Sequence, residues 1–418
     1  MRTLQDDTLR FLREGYTFIS ARCDELETDL FTTRLGLRRV TCVRGAEAAR
    51  MFYDGGDITR AGAVPSTTQH LLQDVGSVQG LEGEAHRTRK ALFLSVLGPD
   101  QQARLAEILG REWNRSWQRA GESVVRLEDV MARILTRTAC SWAGVPSGMV
   151  DAPVLTDQLR SMVDHAGSFG PAGWAARVRR RSAEAWAESV IEHHRALGPV
   201  PDEHTALGGL LRHRDADGSA LSARVAAVEL LNVLRPLVAV TRFVLFAQVA
   251  LARAPQWRER IAEGPSEDVV GFAQEVRRFF PFFPAVPGRV SSPFRWEGHD
   301  FLAGERVVLD LYGTDHDARI WDSPESFRPE RFRDWEWERH PYSLVPQGAG
   351  DVRTGHRCPG EWATLTVLRE TVRRLSRENF DLPAQDLTIP LDRMPTRPRS
   401  GVLVRRRENG AGYAADGR

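Results

Sequence analysis

From about residue 84 to 280 apolar side chains recur every three or four positions. GPDQQARLAEILGREWNRSWQRA, SAEAWAESVIEHHRAL and PSEDVVGFAQEVRRFF are the clearest runs. That spacing predicts amphipathic helices. Asp100 and Ser266 stand where helix N-caps are expected. Residues 35–60 mix a β-rich run, RRVTCV, with a helical one, GAEAARMFYD. After Phe280 the pattern shortens. PFFPAVPGRV, FRWEGHDFLAG and ERVVLDLYG read as extended segments between turns. A proline- and arginine-rich meander, a glycine-rich loop and a helix from about 361 to 377 follow. The pattern predicts one domain over 1–418, mainly α with a minor β part. There is no internal repeat and no low-complexity tract.

One apolar stretch breaks its own rule. LLNVLRPLVAV, residues 230–240, reads as a buried helix, yet Arg235 and Pro236 sit in its middle. A buried charge is costly without a partner. Proline removes one backbone hydrogen bond and favours a kink. Residues 230–252 are long enough to cross a bilayer, but Arg235, Pro236, Arg242 and Gln248 interrupt them, so a core helix of a soluble protein fits better than a transmembrane segment.

The chain's 418 residues carry 42% hydrophobic and 27% charged side chains, an ordinary globular composition. A formal net charge of +1 gives no global attraction to nucleic acid or membrane. RVRRRS, residues 177–182, is a local basic run without interleaved aromatics, and it reads as a solvated helix face. The N-terminus, MRTLQDDTLRFLREG, has no signal-peptide core. Cys23, Cys42, Cys140 and Cys358 are far apart and match neither a zinc site nor a disulfide framework. Reduced thiols point to a cytoplasmic setting. HRDADGS and TDHDA cluster His and Asp without metal-site spacing and read as turns. Lys90 is the only lysine.

Cys358 lies in GHRCPGEWATLTVLRE. A cysteine at a helix start has its thiolate stabilised by backbone N–H groups and the helix dipole. Such a residue binds a metal or reacts, or it is a buried structural thiol. Two further motifs decide between these. Glu275 and Arg278 are three apart on one helix face, and FRPERF supplies Arg331. ExxR, then PERF, then a glycine-rich loop ending in C-x-G resembles the cytochrome P-450 superfamily. The resemblance implies the cytochrome P-450 fold, a haem b cofactor ligated by Cys358, and structural roles for Glu275, Arg278 and Arg331.

The central helix lacks the acid–alcohol pair that most of that superfamily carries, and the loop PQGAGDVRTGHRCPG is longer than usual. Both departures, with Arg-Pro in the central helix and GHRCPGE at the thiolate, are similar to the branch of peroxide-using fatty-acid peroxygenases and decarboxylases. RRFFPFFP and LDLYGTDHDARIWDSPESFRPERF fit the same branch. The implied partners are a long-chain fatty acid and hydrogen peroxide, with no redox partner required. Arg235 then binds the substrate carboxylate; its other reading is a pair with a protein carboxylate such as Glu229. Pro236 opens room beside it. The bound carboxylate takes the place of the missing acid–alcohol pair as acid and base.

Gln79 matches a pocket position where histidine accompanies alkene formation and glutamine accompanies hydroxylation. The expectation is therefore hydroxylation at Cα, with some at Cβ. Phe169, Phe282, Phe283 and Leu72 match pocket positions, and each phenylalanine can equally be plain core. Arg60, His86, Lys90 and Arg357 match positions that contact the haem propionates. The competing readings are a fatty-acid decarboxylase, a reductase-dependent monooxygenase, and a non-catalytic haem or fatty-acid binding protein.

Overall fold

The computed structural model describes residues 5–64, 66–72, 76–121, 123–167, 170–197, 201–378 and 380–406. Helices dominate, as the periodicity predicts. The central one, Ala223–Ala239, is capped by Ser222, whose hydroxyl accepts the Val225 N–H at 3.1 Å. It packs against Leu127–Trp142, Ala152–Asp164 and Pro171–Leu197. Leu230, Leu231 and Leu234 are fully buried there. Helicity runs unbroken through Pro236 and ends at Ala239, with Val240 separating it from Thr241–Arg253. Residues 223–253 have the length and hydropathy of a membrane span, yet 89% of that apolar window is buried inside the fold.

Two predicted caps are not used. Asp100 lies in the 3-10 turn Pro99–Gln101, and the next helix starts at Gln102 without a side-chain cap. Ser266 is already the first residue of its helix, Ser266–Phe279, behind Pro265. Its hydroxyl instead accepts from Arg373 at 3.0 Å. In both cases a tertiary or local turn contact wins over the cap.

The β part is a five-stranded mixed sheet and two smaller ones. In the large sheet Leu30–Leu35 pairs antiparallel with Arg38–Val43, which runs parallel to Arg306–Asp310. Ala285–Val290 and Ile58–Thr59 complete it, both antiparallel to their neighbours. This sheet carries its own core around Phe52, Phe301 and Leu309. It ties the N-terminal region to the segment after Phe280.

Below that loop sits a buried ion-pair knot. Glu275 takes two bonds from Arg278, both 2.8 Å, one ion pair from Arg331 at 3.2 Å, and the Arg328 backbone N–H at 2.8 Å. Glu275 and Arg278 are fully buried. Arg278 also donates to the carbonyls of Asp315 (2.8 Å) and Pro324 (2.9 Å). The helix, the meander and the chain after Asp310 are therefore locked by a single carboxylate.

Candidate haem-thiolate and carboxylate site

Gly348 and Gly350 both have positive φ, +93° and +76°, which glycine adopts freely. A Cβ on Gly348 would stand 3.0 Å from the Tyr53 hydroxyl. These turns bring Cys358 back so that its N–H bonds the Gln347 carbonyl at 3.0 Å. The helix Glu361–Arg377 begins three residues later, behind Gly360. Burial pushes the Cys358 thiol up, while the Gly360 N–H and Lys90 pull it down. The other three cysteines are fully buried, whereas Cys358 is only partly covered.

Behind the sulfur is a network that the motifs did not single out. Gln347 stands with its amide nitrogen 3.8 Å from Cys358 Sγ and 3.0 Å from Thr364 Oγ1. Arg277 holds the Gln347 amide oxygen at 3.2 Å and also pairs with Glu361. The neighbour Arg278 drew attention through its motif spacing; Arg277 had no such signal.

Around the same loop stand the expected cations. Lys90, on Gly83–Leu97, donates to the carbonyls of Gly355 (3.0 Å) and Arg357. Burial pushes it down to about 8. His86, one turn earlier, lies with its ring 4.2 Å from that of His356. Burial, then His356 and Lys90, push it down to about 4, so it is neutral at pH 7. Arg60 donates to the Pro287 carbonyl at 2.8 Å and the Tyr53 hydroxyl at 3.3 Å. Glu82 joins the set by accepting the Arg60 backbone N–H (2.8 Å) and lying 3.4 Å from His356 Nε2. Arg357 is directed elsewhere. Its guanidinium pairs with Glu361 at 2.7 Å and lies over the Trp337 ring.

On the central helix Arg235 is 6% exposed. It donates to the backbone carbonyl of Leu72 and to Asn232 Oδ1 at 3.2 Å, and its Nε has no partner. No acid pairs with it among the described residues. The candidate Glu229 is taken: it pairs with Arg89 at 2.8 Å and accepts the Val78 N–H at 2.8 Å. Burial pushes Arg235 down to about 9, with Arg180 adding to the shift and the Cys358 sulfur opposing it. It stays cationic at neutral pH, and it is near enough to Cys358 for the two charges to act on each other.

Gln79 lies on the same side, its Oε1 3.4 Å from Asn232 Nδ2. Leu72 contributes through its backbone oxygen. Phe282 stacks on Phe243 with centroids 4.2 Å apart. Phe283 meets Phe282 edge-on and is 40% exposed. Phe169 lies outside the described residues.

Comparisons with known proteins bear on the family and the fold. The cytochrome P-450 family model matches residues 271–363, from the helix of the ion-pair knot to the thiol helix. Among curated proteins, a probable cytochrome P-450 4aa1 of Drosophila melanogaster is 31% identical over 138 residues, and psoralen synthase of Ammi majus 29% over 137. Each match covers 32% of this chain and 26% of the relative. Likeness to solved structures covers nearly everything. Cytochrome P-450EX alpha, solved with myristic acid, is 37% identical with a TM-score of 0.91, over 97% of this chain and all of its own. Cytochrome P-450SP alpha, in complex with (R)-ibuprophen, is 42% identical with a TM-score of 0.90, over 96% and 98%. Cytochrome P-450 OleT, a variant in complex with arachidonic acid, is 33% identical with a TM-score of 0.92, over 98% and 100%. With a third or more of its residues shared over full-length structures, and its thiol, knot and loop in place, this chain belongs to the cytochrome P-450 superfamily.

Proposed function

We propose that the protein is a haem-thiolate peroxygenase that hydroxylates long-chain fatty acids at Cα, with some product at Cβ, using hydrogen peroxide. The observation that carries this reading is Arg235: a buried guanidinium without an acid partner among the described residues, near enough to Cys358 for the two to interact electrostatically. A fatty-acid carboxylate would satisfy it. A guanidinium fork matches a carboxylate with two parallel bonds, and Arg235 stays charged at neutral pH. Myristic and arachidonic acids are the molecules named with two of the similar structures.

The residues fit haem. A partly covered thiol stands just before a helix N-terminus. The side chains of Arg60 and Lys90 donate only to carbonyl and hydroxyl oxygens among the described residues, which leaves positive charge for two propionates. His86 adds a neutral N–H. Arg357, engaged by Glu361, has less to give. When bound, the group supplies an iron whose thiolate ligand donates electron density and favours O–O cleavage.

The chain's own residues then set position and proton traffic. Arg235 would hold the carboxylate, so that only the first carbons of the acyl chain would lie beside the bound haem. The carboxylate accepts a proton from hydrogen peroxide and returns it to the departing oxygen. No reductase is required. Pro236 leaves the Asn232 backbone carbonyl without its usual helical donor, and it keeps this turn of the helix free of an acid or hydroxyl that would compete for the proton. A cytoplasmic location fits four free cysteines.

The test is incubation of the haem-loaded protein with myristic acid and hydrogen peroxide, without reductase, and mass spectrometry of the products. The α-hydroxy acid should dominate. Unchanged substrate would refute the proposal, and a terminal alkene one carbon shorter as main product would overturn the reading of Gln79. A second prediction follows from that residue. Glutamine has no imidazolium proton to give, so Gln79→His should raise the alkene share several-fold. An unaltered product ratio would show that Gln79 only bonds Asn232.

A further inference from the structure

We infer that Asn232 is a positioning residue: a neutral spacer between Glu229 and Arg235 that keeps the guanidinium available for the substrate carboxylate and fixes its orientation. The inference rests on the reading of Arg235 as the carboxylate anchor. Glu229, Asn232 and Arg235 follow one another at three-residue steps on the central helix, so each member faces the next across one turn. Glu229 is fully buried. Its oxygens are held by Arg89 and the Val78 N–H on one side and by Asn232 Nδ2 at 3.0 Å on the other. Asn232 Oδ1 faces the opposite way and accepts from Arg235 Nη2 at 3.2 Å.

The amide can stand only one way round. Its nitrogen must meet the carboxylate and its oxygen the guanidinium. Turning it over would set donor against donor and acceptor against acceptor. The charges on both sides therefore fix the amide, and the amide fixes Arg235. A third contact of the amide, from its nitrogen to Gln79 Oε1, ties the segment Val78–Gly80 to the same point.

The charge arithmetic explains why the spacer matters. An acid in Asn232's place would pair with Arg235 directly and occupy the donors that a substrate needs. Glu229 itself is kept off because Arg89 takes it, while Arg89 also pairs with the partly exposed Asp215 at 2.6 Å. The chain thus carries a buried acid within two turns of its carboxylate anchor without the two neutralising each other. HRDADGS, otherwise only a turn, supplies Asp215 to this relay.

The experiment measures myristate affinity by calorimetry on haem-loaded protein, together with the Cα to Cβ product ratio. Asn232→Asp keeps the shape and adds the competing charge, so it should weaken myristate binding roughly ten- to hundredfold. Asn232→Ala removes the orienting oxygen and should change the Cα to Cβ ratio by about threefold or more with a smaller loss of affinity. Both are compared with Arg235→Ala. If Arg235→Ala leaves affinity unchanged, the anchor reading itself fails. If Arg235→Ala weakens binding but both Asn232 variants bind and partition products as the parent does, the anchor stands and the spacer is refuted. If Asn232→Asp does not load haem, the alanine variant decides alone by its product ratio.

Discussion

Arg235→Ala should abolish peroxide-driven turnover of fatty acids, lowering kcat/KM by about a thousandfold or more. Two losses combine in that figure. A charge-assisted bidentate pair to the carboxylate disappears, and with it the placement of the group that moves the proton, worth about a hundredfold or more by itself. Stability should move the other way. Arg235 is buried, its Nε has no partner, and no acid neutralises it among the described residues. Such a group raises the free energy of the folded chain. Arg235→Met, which keeps the bulk without the charge, should therefore melt at the parent's temperature or above it while being equally inactive. A variant that keeps full activity on free acids would remove the substrate carboxylate from the mechanism.

Glu275→Ala should have the largest effect on the fold. Four donors converge on that carboxylate, from Arg278, Arg331 and the Arg328 backbone. Without it two guanidinium groups remain in the interior with no counter-charge. Breaking such a buried pair costs about 3–5 kcal/mol, against a total stability of about 5–15 kcal/mol for a typical protein. The chain should accumulate without haem, or aggregate. Glu275→Gln keeps the shape but not the charge, and should be intermediate, with a lowered midpoint in denaturant. A Glu275→Ala protein that takes up haem and unfolds at the parent midpoint would contradict the account of the knot.

These two residues were visible in the sequence for different reasons. Glu275, Arg278, Arg331 and Cys358 stand in ordered motifs, and Arg235 is conspicuous as a charge in an apolar helix. The helices from 84 to 280, the strands after Phe280 and the helix 361–377 also followed from local periodicity. What escaped was set by contacts distant in sequence. Arg89 takes Glu229 from 140 residues away, so the competition that frees Arg235 has no local trace. Arg277 sits beside a motif arginine, yet its partners Gln347 and Glu361 lie 70 and 84 residues on. The strand Leu403–Arg406 pairs with Val124–Arg126 across most of the chain. The caps at Asp100 and Ser266 failed because a 3-10 turn and Arg373 claimed those side chains' neighbourhoods first.

The central claim is that the substrate's own carboxylate, held by Arg235, does the proton work. The most direct measurement compares peroxide-driven turnover of myristic acid with that of its methyl ester by the same haem-loaded protein. The ester keeps the acyl chain and loses both the charge and the basic oxygen. The account predicts rapid hydroxylation of the acid and none of the ester above background. Equal turnover of the two would contradict it.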